Sequence, residues 1–365
     1  MPWPCKPFGM QLTPDQERTI TYSALSEPGD ALAYLIFHFN GPEAIDHFRS
    51  GKAKRLWPEQ IHQQAPEYAS SLPLLFERFA LRLPKVHAPT LIERAIRWNA
   101  RPVFPEQHPK IWSQFSDLEL HQPYLLWVAG SMEVFEQESN SIVGTRNPTS
   151  RGVARTRALV KQLGVGVVSG GATGIDFAAH RAALDYKLPT AAFMAGGIDR
   201  AYPTQNWPLF HDMVRGGGAL VSECVPFTAP SRFRFLNRNR LIAASSQATF
   251  VVEAGYRSGS RNTANHARAC GREVFAIPGG WSDKASQGCN SMIKEGLAKP
   301  WYLDKHRNVE ASANQKRVED ALREGARDQA SIASESGLGI EEVRRELFRL
   351  KLEGWDLHQI DRVST

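Results

Sequence analysis

Between Tyr124 and residue 303, short apolar runs alternate with amphipathic segments, and that alternation admits few architectures. The candidate strands are residues 125–129, 141–143, 165–169, 190–194, 219–222, 248–253 and 273–277. Helical patterns lie between them at 152–162, 175–186, 206–214, 237–244, 263–269 and 291–297. Strands this uniformly apolar must be buried on both faces, which a mostly parallel sheet with helices on either side provides. The expected fold is therefore α/β, a Rossmann-like domain over 116–305. Ligands of such sheets bind beyond the carboxyl ends of the strands. The loops that follow the apolar runs are where chemistry belongs.

The flanks read differently. Residues 1–115 give helices broken at Pro28-Gly29-Asp30 and Gly41-Pro42, and predict a helical, SAM-like domain. Residues 310–365 give helical patterns at 318–322, 330–334 and 340–352, then an extended end opening at Gly354-Trp355. Three helices and a small β element predict a winged-helix-like domain.

Charge is distributed unevenly among these segments. Residues 1–139 hold 13 basic and 16 acidic side chains, 140–303 hold 20 and 9, and 310–365 hold 9 and 12. The positive field of the central domain favours capture of polyanions. The acidic tail disfavours tight duplex binding, although Arg344, Arg345, Arg349 and Lys351 cluster on its last helix. A protein contact is the stronger expectation there.

Other classes are disfavoured. The longest apolar stretch, residues 31–39, is too short to span a bilayer, and the Met-Pro-Trp-Pro-Cys-Lys start lacks the apolar helix of a signal peptide. A cytoplasmic protein with no membrane partner is expected. Cys5, Cys224, Cys270 and Cys289 are isolated, which predicts reduced thiols and no metal site. No Ser-His-Asp or paired-carboxylate pattern is evident, so no catalytic residue and no cofactor are expected.

Four loops carry the chemistry. Gly144-Thr145-Arg146 ends a strand before a helix, where glycine lets an anion approach and Arg146 can clamp a phosphate. Ser169-Gly170-Gly171-Ala172-Thr173-Gly174 forms a second turn rich in amides and hydroxyls, and Asp176 follows as a helix cap or loop-orderer. Its spacing departs from a dinucleotide fingerprint and lacks the P-loop lysine. Residues 231–240 interleave Arg232, Arg234, Arg238 and Arg240 with Phe233 and Phe235, and no carboxylate lies between Glu223 and Glu253. Unpaired bases stack on such rings while arginines neutralise the backbone. Ser258-Gly259-Ser260 is a further hydroxyl turn into a helix. Together these loops predict one polyanion-binding edge.

The strings at 142–146, 169–180, 197–206, 235–243, 258–264 and 288–293 resemble, in order and spacing, the motifs of the DNA-processing protein A (DprA, or Smf) family. The resemblance implies a homodimer that binds and protects single-stranded DNA and loads the RecA recombinase onto it in natural transformation. It implies that Gly144, Thr145, Arg146 and the turn Ser169, Gly170, Gly171, Thr173, Gly174 hold phosphates. Phe235 would stack a base, with Arg238, Asn239, Arg240 and Ser258, Gly259, Ser260 completing the groove. This chain departs from the pattern at Thr173, at Leu236-Asn237 and at Arg261. The competing readings are a phosphoribohydrolase-type enzyme, with Glu253 and Arg257 at the glycine-rich loops, and a nucleotide sensor.

Overall fold

The structure is a computed structural model that describes residues 2–4, 11–303, 313–352, 355 and 357. It divides into two compact units, Met1–Lys299 and Pro300–Thr365. The first contains a nine-stranded sheet: β1 (Arg101–Val103), β2 (Leu126–Gly130), β3 (Ser139–Val143), β4 (Gly166–Gly170), β5 (Thr190–Met194), β6 (Ala219–Ser222), β7 (Ala248–Val251), β8 (Glu273–Ala276) and β9 (Lys299–Pro300). The order is β1-β2-β6-β5-β4-β3-β7-β8-β9. Strands β3 to β8 pair in parallel, in keeping with their apolar character. β2, by contrast, pairs antiparallel with both β6 and β1. From β3 the chain steps outward through β4, β5 and β6, then crosses back to lay β7 on the other side of β3. The topological switch point is therefore between β3 and β7.

Alternate strand residues feed two cores. Phe193, Val221, Val251 and Val274 enter one layer, and Ala192, Met194 and Leu220 the other. The second layer also holds Ile20, Ala88 and Leu91 from the amino-terminal helices, packed with Trp127 of β2. That shared core explains why the segment expected to separate at residue 115 belongs to the same compact unit as the sheet. The period-two pattern of the strands hid this, because a residue such as Trp127 does not announce which layer will cover it.

The second unit contains helices Ala313–Glu324, Gln329–Ser336 and Ile340–Leu352, packed through Val318, Leu322, Ile332, Val343, Leu347 and Leu350. Asp328 caps the middle helix by accepting from the amides of Ala330 and Ser331. The extended end expected from Gly354 falls largely outside the described residues. Among those described, no helix is long and apolar enough to cross a membrane.

Candidate nucleic-acid interface

At the switch point, the loops after β3 and β7 and the helix Arg232–Ala244 enclose a cleft of about 310 Å³. Gly144, Thr145, Arg146, Phe235, Arg238, Asn239, Ser258, Gly259 and Ser260 line it. The guanidinium carbon of Arg146 lies 5.0 Å from the centre of the Phe235 ring, and that of Arg238 lies 6.0 Å from it. One aromatic ring is thus shared by two cations, an arrangement that orients both.

The arginine-rich segment is a helix rather than a loop, and this decides which arginines meet. Ser231 caps it, its hydroxyl accepting from the Arg234 amide at 3.3 Å, so the helix starts five residues before the periodicity indicated. Along a helix, residues three and four apart share a face, while residues two apart point nearly opposite ways. Phe235, Arg238 and Asn239 therefore face the cleft together. Arg240 does not. Its guanidinium is buried, donating twice to the Glu223 carboxylate at 2.8 Å and once to the His121 carbonyl at 2.8 Å. The expected role for Arg240 in the groove is corrected to a structural ion pair. Arg234 is likewise engaged, pairing with Glu27 at 2.9 Å.

The second turn supports the cleft more than it lines it. The Ser169 hydroxyl is buried and donates to the Ile142 carbonyl at 2.6 Å. Gly171 faces Met194 and Phe210. A Cβ on Gly170 would come within 2.5 Å of Arg238 Nη1 and 2.6 Å of Asp176 Oδ2, so glycine there leaves room for that pair. Thr173 donates its hydroxyl to the Arg146 carbonyl at 3.3 Å. Gly174 has φ +86° and packs on Thr145 and Arg146, where a Cβ would sit 2.2 Å from the Thr145 carbonyl oxygen. The side chains of this turn seat Arg146 and Arg238, while its expected phosphate-binding role rests on its backbone amides. Gly174→Ala should lose about 2 kcal/mol or more of stability through backbone strain and this clash; a denaturant midpoint equal to wild type would refute it.

Asp176, expected as a helix cap or loop-orderer, is buried in the cleft wall beside Arg238. Burial raises its pKa, opposed by the charge of Arg238 and the Ala172 amide. Burial also lowers the Arg238 pKa to about 10, against the pull of Asp176. Arg238 therefore stays charged at neutral pH. Its Nη1 donates to the Phe193 carbonyl, while its Nε has no partner. Arg257 and Leu236 also line the cleft, and Tyr202 meets the Phe235 ring edge-on at 5.9 Å. The signal for these was adjacency to the motifs, which one-dimensional spacing does not weigh.

Glu253, the candidate acid of the enzyme reading, is buried and fully engaged. Its carboxylate accepts from the Thr149 amide at 2.9 Å and hydroxyl at 2.6 Å, and its carbonyl accepts from the Thr145 amide at 2.7 Å. It ties the loop after β3 to the strand end of β7.

Comparison with known proteins places the chain in a family. The family model of DNA recombination-mediator protein A matches residues 102–311, more than half of the chain. A DprA-type protein assigned in Mycobacterium tuberculosis is 46% identical over 181 residues, 48% of this chain and 46% of that protein. The match therefore spans less than half the length of that relative. The DNA processing protein DprA of Bacillus subtilis is 35% identical over 240 residues, covering 65% of this chain and 78% of the relative. The X-ray structure of DNA processing protein A from Streptococcus pneumoniae superposes with a TM-score of 0.60 at 26% identity, over 80% of this chain and 95% of that one. The chain belongs to the DNA recombination-mediator protein A family, the DprA/Smf proteins.

Proposed function

We propose that this protein binds single-stranded DNA along the carboxyl rim of its sheet, as a carrier rather than an enzyme. The observation that carries the reading is the stack of Arg146 on Phe235 with Arg238 beneath, in a cleft at the switch point. A flexible polyanion fits this chemistry. Arg146 is exposed and available to a phosphate, and the Phe235 ring, half-buried, offers its edge and remaining surface to a base. Arg238 is buried with one donor unpaired, which favours an anion at its wall. Duplex bases are already stacked on each other and gain less from the ring.

The engaged carboxylate of Glu253 supports the non-catalytic reading, since a phosphoribohydrolase needs a free acid at the glycine-rich loops. The recombination-mediator character of the family supports RecA as the recipient of the strand, and the reading takes a homodimer as the working form and the cytoplasm as the place. The turn 169–174 serves this reading as support, with Ser258, Gly259 and Ser260 offered to the backbone of the strand.

The test is a fluorescence-anisotropy titration with oligo-dT and with duplex of equal length. Affinity should fall as salt rises, and the single strand should be preferred. Arg146→Ala should weaken binding about tenfold and flatten the salt slope by about one phosphate contact. Equal affinity for mononucleotide and long oligomers would sink the reading in favour of a nucleotide sensor. Release of base from nucleoside monophosphates would establish an enzyme.

A further inference from the structure

Trp281 is 93% exposed, an unusual place for the side chain with the largest apolar surface. It lies in the loop that follows β8, on the same carboxyl rim as the cleft. That loop is fastened down. Asn290 accepts from the Gly279 amide at 3.2 Å and donates to the Gly279 carbonyl at 3.1 Å. The Ala254 amide donates to the Ala285 carbonyl at 2.8 Å, and the Gly288 amide donates to the Ala254 carbonyl at 2.7 Å. Ala254 lies in the loop after β7, whose next residues Gly255, Arg257, Ser258 and Gly259 line the cleft. A hydrogen-bonded surface therefore runs from the cleft, over the ends of the paired strands β7 and β8, to the tryptophan.

The exposed side chains of the two rim loops and of the helix end paired with them are largely cationic. Arg257, Lys284 and Arg151 are exposed, and Arg155 Nη1 would lie 3.7 Å from a Cβ at Gly279. Asp283 is the carboxylate of this loop and faces Arg151 at 3.7 Å. Tyr256, 63% exposed, stands beside Arg257. A protein-docking site would present a contiguous apolar patch. Isolated rings among basic side chains are instead the form of surface that stacks unpaired bases while tracking their phosphates.

We propose that the rim carries a second base-stacking station at Trp281. A single strand leaving the cleft past Ser258 and Gly259 crosses the ends of β7 and β8 and stacks a base on the indole. Arg257, Lys284 and Arg151 accompany its backbone. The proposal rests on the single-strand reading given above.

The experiment compares wild type, Trp281→Ala and Trp281→Phe with oligo-dT of about six nucleotides, within the range of a single site, and of about twenty, beyond it. Because Trp281 is almost wholly exposed, its removal should leave the thermal midpoint unchanged. Trp281→Ala should weaken the long oligomer about fivefold or more, the equivalent of one stacked base, and leave the short one unaffected. Trp281→Phe should restore most of the loss. Equal affinity of wild type and Trp281→Ala for the long oligomer, or equal weakening at both lengths, overturns the second station alone. Failure of wild type to bind either oligomer overturns the single-strand reading itself.

Discussion

Replacing Arg238 with methionine should cost about 3 kcal/mol or more of stability and remove most single-strand affinity. The stability loss follows from burial. Asp176 and Arg238 are both within the cleft wall, and deleting the cation leaves a buried carboxylate without its neutralising neighbour. Methionine keeps an unbranched apolar stem of similar length in the buried position, so the effect reports the charge rather than a cavity. Asp176→Asn in the same chain should recover much of the stability, because a neutral amide needs no counter-charge, but it should not recover DNA binding. Two measurements check this: chemical denaturation of the single and double variants, and anisotropy with oligo-dT. Recovery of both properties in the double variant would show that Arg238 acts only as scaffold.

The second large effect is a loss of stability in mild acid, governed by His180. This side chain is wholly buried, its Nε2 at 3.0 Å from the Gly170 carbonyl and its Nδ1 at 2.7 Å from the Thr190 hydroxyl. The Nε2–H donates to the Gly170 carbonyl, and Nδ1 shares the Thr190 hydroxyl with the Val167 carbonyl, which lies 2.9 Å from that hydroxyl. Burial lowers its pKa from 6.5 to about 4, and the charge of Arg238 pushes the same way. The unfolded chain therefore takes up a proton near pH 6.5 that the folded chain refuses until about pH 4. Stability from this group is complete above pH 6.5 and is lost as pH falls through that window. At about 1.4 kcal/mol per pH unit the loss reaches about 3 kcal/mol. Other carboxylates, such as Asp328 with its lowered pKa, also contribute to acid loss, so the comparison must be with His180→Gln. That variant should show a visibly shallower fall in unfolding free energy between pH 6.5 and 4.5; superimposable curves would exclude His180 as the cause. Because Gly170 borders Arg238, protonation should also weaken DNA binding in the same window.

Much of this molecule was legible from residues alone. The apolar runs located β3 to β8, since a strand buried on both faces can carry no other pattern, and Thr190–Met194 and Ala219–Ser222 fell where that pattern ends. Glycine-bearing turns at strand ends marked the rim, because close backbone approach together with positive φ favours glycine, as at Gly174. Tertiary structure decided the rest. The antiparallel pairing of β2 depends on which strand lies beside it, and burial on both faces is the same for either direction. The union of the amino-terminal helices with the sheet depends on which core Ile20 and Leu91 enter. The fate of the arginines depended on one cap: with Ser231 starting a helix, a turn of about 100° per residue sent Arg238 to the cleft and Arg240 to Glu223. Local chemistry is written in the order of residues, whereas partnership is set by distance, and distance exists only once the chain has folded.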